Sequence, residues 1–135
     1  MNKNNSEQRV IGHIMFNGVL YEIVRKDKED IIRLSDLGIE FEKPTREVHY
    51  SDLYILKNDK LYLDAIRLEN CWGRFSVING VKAVSAAGVI FYKGLNRAVP
   101  YTGTIIVKRN EIGSEQLYQI TLNKGKAIKF ENIKK

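Results

Sequence analysis

Only one cysteine, Cys71, stands in the 135 residues, with two prolines and one tryptophan. A lone cysteine excludes an intramolecular disulfide and removes the signature of a small secreted scaffold, so a cytoplasmic location is expected. Long hydrophobic runs are also missing. The longest nearly apolar stretch, Ala83 to Tyr92, includes Ser85 and is about half the ~20 residues that cross a bilayer as a helix, which predicts no membrane span. The first eight residues, Met1 to Gln8, are polar and lack the apolar centre of a signal peptide, so they read as a tail.

Chemistry-bearing motifs are absent in the same way. The chain contains no G-x-G-x-x-G, no phosphate loop ending in Gly-Lys-Ser or Gly-Lys-Thr, no H-E-x-x-H and no C-x-x-C. Its two histidines, His13 and His49, lie far apart in sequence, and a Cys71 nucleophile served by either would have to be assembled by folding. Beside Trp72, Cys71 reads more simply as a small core residue. Asp27, Glu29 and Asp30 are dense but lack the regular oxygen-ligand spacing of a calcium loop and are interleaved with Lys26 and Lys28, so they read as a solvated loop. No catalytic residue, metal site or cofactor is assigned, and the expectation is a non-enzymatic binding protein.

What the chain does contain is turn chemistry. Asn17-Gly18 and Asn79-Gly80 sit inside apolar, β-branched runs. Asn-Gly readily takes the two positive-φ positions of a type I′ turn, so each pair predicts a β-hairpin tip. Similar signals recur at Lys57-Asn58-Asp59-Lys60, Lys93-Gly94-Leu95-Asn96 and Asn123-Lys124-Gly125. Between them, strands are expected at Val10 to Phe16, Val19 to Val24, Ile39 to Phe41, Leu53 to Leu56, Leu61 to Leu68, Phe75 to Ile78, Val81 to Val84, Gly88 to Tyr92, Thr104 to Lys108, Leu117 to Leu122 and Ala127 to Phe130. Ile31 to Leu37 reads as a strand or a helical turn, and Thr45 to Leu53 as a short helix or a strand. The predicted fold is all-β: a mostly antiparallel closed barrel or two-sheet sandwich of roughly ten short strands, with little helix. One β domain is expected over residues 10–131, between a polar tail at 1–9 and a basic tail at 132–135; a separate small barrel over residues 10–57 is the alternative partition. Ser85-Ala86-Ala87-Gly88, a run of small residues among bulky ones, predicts a point of strand curvature or the floor of a pocket.

Charge supplies the lead to function. From Met1 to Gly80 there are 12 Lys and Arg against 13 Asp and Glu, whereas Val81 to Lys135 carries 10 against 3, so the whole excess of +6 comes from the C-terminal part. Such asymmetry predicts a face for an anionic partner, a nucleic acid or nucleotide, or an acidic protein surface. Lys93, Arg97, Lys108 and Arg109 are the expected charges and Tyr92 and Tyr101 the expected stacking rings of a basic-aromatic face. Two alternatives stand beside it: a protein-interaction module of inhibitor, immunity or assembly-subunit type, and a lipocalin-like barrel carrying a small apolar ligand.

Overall fold

The computed structural model describes residues 9–26, 31–32, 34–41, 49–69, 73–109, 113 and 116–133. Eleven strands form: β1 Arg9–Phe16, β2 Val19–Lys26, β3 Ile39–Phe41, β4 His49–Lys57, β5 Lys60–Glu69, β6 Gly73–Phe75, β7 Val84–Ala86, β8 Val89–Ala98, β9 Gly103–Arg109, β10 Leu117–Asn123 and β11 Lys126–Ile133. Among the described residues the one helical piece is a 3-10 turn, Leu34–Leu37, which settles the ambiguity of that stretch in favour of a turn. The other ambiguous stretch enters β4 at His49.

The main sheet runs β11-β10-β9-β2-β1-β4-β5-β8-β7 and closes through β5 against β11, giving a seven-stranded barrel from which β8 and β7 extend. Strands β3 and β6 form a separate pair. Short type I′ turns dictate most of the pairing. Asn17 and Gly18 (φ 52° and 76°) join β1 to β2, Asn58 and Asp59 (51° and 61°) join β4 to β5, and Lys124 and Gly125 (51° and 84°) join β10 to β11. The departure from antiparallel order is β1 with β4, which run parallel from Arg9 opposite His49 to Phe16 opposite Leu56. Parallel neighbours require a crossover, here the chain from β2 through β3. Two strands inside residues 10–57 pair outside that range, β2 with β9 and β4 with β5.

Three local expectations are corrected. Lys93-Gly94-Leu95-Asn96 is not a hairpin tip but an irregularity inside β8, with Gly94 and Asn96 at positive φ. Asn79-Gly80 does form a tight turn, yet it is flanked by one isolated Ile78–Val81 bridge rather than two strands. The small-residue run ends β7 and makes the β7–β8 turn, with Ala87 at φ 52° and Gly88 at 81°, rather than bending a single strand.

Alternation fills the barrel. Ile14, Tyr54, Leu61, Leu63, Ile105 and Ile120 are each at most 1% exposed, and burying a Leu or Ile of this kind contributes about 1.5–3 kcal/mol. Rings of Phe16, Tyr21, Tyr118 and Phe130 meet across the interior, Phe16 to Phe130 at 4.8 Å and Tyr21 to Tyr118 edge-on at 5.5 Å. The first pair joins β1 to β11, strands that are not neighbours in the sheet, so the contact crosses the barrel. Side chains from β1, β2, β10 and β11 thus occupy the interior at this level.

Candidate functional site

Tyr92 and Tyr101, expected as stacking rings, are core residues. Tyr92 is fully buried, its hydroxyl donates to the Ser76 carbonyl at 2.6 Å, and burial pushes its pKa up. Tyr101 is 5% exposed. A ring so enclosed has no face to offer a base, which removes the aromatic half of the expected surface. Its cations are dispersed too. Lys93 and Arg97 lie on β8, opposite Ala65 and Leu63 of β5. Lys108 and Arg109 lie on β9, opposite Glu22 and Tyr21 of β2. Four strands, β2, β1, β4 and β5, separate the two pairs along the sheet. Arg109 acts on the core: its charge opposes the rise that burial and Tyr118 impose on the Tyr21 hydroxyl.

Other basic residues do converge, at the seam where the barrel closes. The β10–β11 turn is wedged between the start of β5 and the segment after β8. Leu61 N–H donates to Gly125 O at 2.9 Å, Ala127 N–H to Asp59 O at 2.7 Å, and Gly125 N–H to Tyr101 O at 2.8 Å. Gly125 is required there twice over, by its φ of +84° and because a Cβ would stand 2.3 Å from the Val99 carbonyl oxygen.

The Asn58-Asp59 turn sets Lys57 directly opposite Lys60, and this closure sets Lys60 directly opposite Lys126. Residues opposite one another share a face, so three lysines form a row across β4, β5 and β11 spanning about 10 Å, two inter-strand spacings. Lys124, in the turn, stands beside them. Lys60, Lys124 and Lys126 line an open groove of about 260 Å³ whose walls are Tyr62, Ala98, Val99 and Pro100, with no carboxylate in its lining. Tyr62 is partly exposed and lies under Lys57, whose Nζ is 4.8 Å from the ring centroid and donates to Asn96 Oδ1 at 2.8 Å. Both turns carrying the row are visible in the sequence as lysine-flanked turn motifs. What no sequence pattern reveals is that they meet.

A second polar feature lies inside. Strand β4 alternates Tyr50, Asp52, Tyr54 and Leu56 inward, placing a carboxyl in the core at 8% exposure. Asp52 Oδ2 accepts from the Tyr54 hydroxyl at 2.8 Å and the Tyr50 hydroxyl at 3.1 Å. Desolvation pushes its pKa up to about 6, against the lowering effect of those hydrogen bonds and of the nearby Lys26 charge. Gly12, its partner on β1, leaves room for it, because a Cβ there would stand 2.9 Å from Asp52 Oδ1. The cavity between Asp52, Lys26, Ile31 and Ile32 is about 40 Å³, enough for water and too small for an organic ligand.

Cys71, Trp72, Asp27, Glu29 and Asp30 lie outside the described residues, as do residues 1–8 and 134–135 of the two expected tails, whereas Arg9 of the first belongs to β1 and Asn132 and Ile133 of the second to β11. Among the described residues no group of three or more His, Cys, Asp or Glu side chains is placed to hold a metal ion, and no helix is long and apolar enough to cross a membrane. Comparison with protein-family models, with curated proteins and with solved structures finds no match for this chain.

Proposed function

We propose that this chain is a non-catalytic cytoplasmic binding protein that engages an anionic partner, a nucleic acid or nucleotide, through the lysine row at the barrel seam. The observation that carries this reading is the like-charge register Lys57–Lys60–Lys126 beside a groove without a carboxylate. Like charges directly opposite in a sheet are destabilising, and a bound polyanion offsets that repulsion by attracting each lysine. Tyr62 supplies the partly exposed ring that Tyr92 and Tyr101 do not, and lysines around a ring are what a backbone-tracking, base-stacking site requires. A second reading, a protein-interaction module, is favoured by β7, which ends the sheet order and presents Val84 at 65% exposure on an edge open to strand addition.

The test is fluorescence-polarisation binding of a labelled single-stranded oligonucleotide at several salt concentrations. Replacing Lys57, Lys60, Lys124 and Lys126 together by Gln should flatten the log-log salt slope by up to about 3, at roughly 0.7 per lost phosphate contact. Replacing Lys93, Arg97, Lys108 and Arg109 should change it far less. An unchanged slope in the first variant, or no wild-type affinity for nucleic acid, nucleotide or heparin at low salt, defeats the reading and moves the weight to the β7 edge.

A further inference from the structure

The lysine row and the groove beside it are chemically unlike. Lys57, Lys60, Lys124 and Lys126 are all exposed, and Asp59, in the turn between the first two, is absent from the groove lining, so four cations stand beside one carboxylate. The groove is apolar below its rim. Its walls are Leu61, Tyr62, Ala98, Val99 and Pro100, and its charged lining side chains are Lys60, Lys124 and Lys126. Backbone contacts hold this shape: Val99 N–H donates to Leu61 O at 3.0 Å, and Leu61 N–H to Gly125 O at 2.9 Å. Val99 is buried, whereas Ala98 and Pro100 are exposed and offer apolar surface. Tyr62 lies opposite Ala98 across β5 and β8. Lys57 stands over the Tyr62 ring without lining the groove, so the ring surface turned to the groove is clear of it.

A nucleic-acid duplex satisfies the row alone. Its phosphates are dense, but its bases are stacked inside, and none can enter a groove between Tyr62 and Pro100. A single strand brings both charge and unstacked bases, each with a π-face for a ring or an apolar wall. The row spans about 10 Å over three strands, further than one phosphate group reaches, so the occupant carries at least two. We propose that the seam binds single-stranded nucleic acid in preference to duplex. The phosphate backbone crosses β4, β5 and β11 along Lys57, Lys60 and Lys126, and one base sits in the groove against Tyr62 and Pro100. This rests on the reading of the lysine row as an anion site and adds what the groove selects.

Charge alone predicts the opposite order, because a duplex carries more phosphate per unit length and responds more steeply to salt, about 0.9 against about 0.7 per contact. The probes are oligothymidylate, the duplex it forms with oligoadenylate, heparin and thymidine monophosphate, each competed against labelled oligothymidylate on the full chain at one low salt concentration. Oligothymidylate should bind about tenfold more tightly than the duplex, the scale of one base stacked on a ring, and thymidine monophosphate more weakly than either. Tyr62→Ala should lower single-strand affinity about tenfold and leave duplex and heparin affinity unchanged, while Tyr62→Phe keeps the preference. Ala98→Gln, a longer neutral side chain at an exposed position of the wall, should act as Tyr62→Ala does by filling the groove, and decides if that variant fails to fold. Equal affinity for the two strand forms, tighter binding of the duplex, monophosphate affinity equal to that of the oligonucleotide, or a single-strand preference that survives both variants overturns the inference and leaves the lysine row as an anion site. Failure of all four probes to bind overturns the reading of the row itself.

Discussion

Asp52 is a carboxyl held where its charged form is disfavoured, and its partners show how the fold tolerates it. Two tyrosine hydroxyls donate to the ionised acid, and Gly12 opposite gives it space. These contacts offset desolvation only in part, which is why the pKa stands at about 6 rather than near its ordinary 3.8. A carboxyl with a raised folded-state pKa binds more protons in the native chain than in the unfolded one between those two values. Stability should therefore fall as pH rises through the window from about 4 to about 6, the reverse of the usual aspartate, by up to about 3 kcal/mol at neutral pH. Urea unfolding at a series of pH values measures this slope. Asp52→Asn, which keeps an acceptor for the tyrosines and removes the charge, should remove the slope and raise neutral-pH stability; parallel profiles for the two proteins would show that Asp52 stays charged at no cost. In the sequence, Tyr50 and Asp52 lie in a stretch open to a short helix or a strand, and pairing of β4 with β1 and β5 is what makes Tyr50-Asp52-Tyr54 an alternation. Which face of that strand turns inward is decided by Leu56 and Ile14 packing beside it, and no local rule favours burying the acid.

At the scale of the element, turns were the most legible part of the chain, because positive φ at consecutive positions is a local property of Asn, Asp and Gly. Asn17-Gly18, Asn58-Asp59 and Lys124-Gly125 all form the turns their residues predict. Their cost of mutation differs for a reason the residues do not reveal. A Cβ at Gly18 would meet nothing within 4 Å, so Gly18→Ala encounters only the backbone preference, about 1 kcal/mol. Gly125 faces the Val99 carbonyl oxygen, so Gly125→Ala adds a clash with backbone that cannot rotate away, and should cost at least twice as much in thermal or urea unfolding. Equal losses at the two sites would mean the β10–β11 turn does not seal the barrel as described. The strand pattern failed at Gly94 and Asn96 for a related reason: the same residues that make turns also make irregularities within a strand, and the choice between them is set by β5 pairing on either side.

For the whole molecule, closure is the decisive fact. The seam rests on β5 pairing with both β4 and β11, and on β1 lying parallel to β4 across a long crossover, so segments distant in sequence depend on one another. A fragment of residues 1–57 should accordingly show no dispersed amide spectrum, because the outward edges of β2 and β4 lose β9 and β5; a folded fragment would support two independent barrels. Closure also bears on charge. Replacing Lys60 and Lys126 by Gln should raise the melting midpoint slightly at low salt, since the like-charge pair is worth about 0.2–1 kcal/mol of destabilisation, and the difference should vanish at high salt. A variant less stable than the wild type would assign those lysines to the fold.

Strand identity and turn position follow from local chemistry, alternation of apolar residues and the φ preferences of Asn and Gly, and so the all-β class and most hairpins were determined by the sequence alone. Partnership between distant strands is not local. It depends on loop closure, on which faces bury together, and on backbone groups such as Gly125 O and Val99 O that carry no side-chain signature. That is why the net positive charge of the C-terminal part could be read directly, while its site could not. Tertiary packing drew Tyr92 and Tyr101 into the core and spread Lys93, Arg97, Lys108 and Arg109 over distant strands, and it was the barrel seam that gathered Lys57 and Lys60 with Lys124 and Lys126.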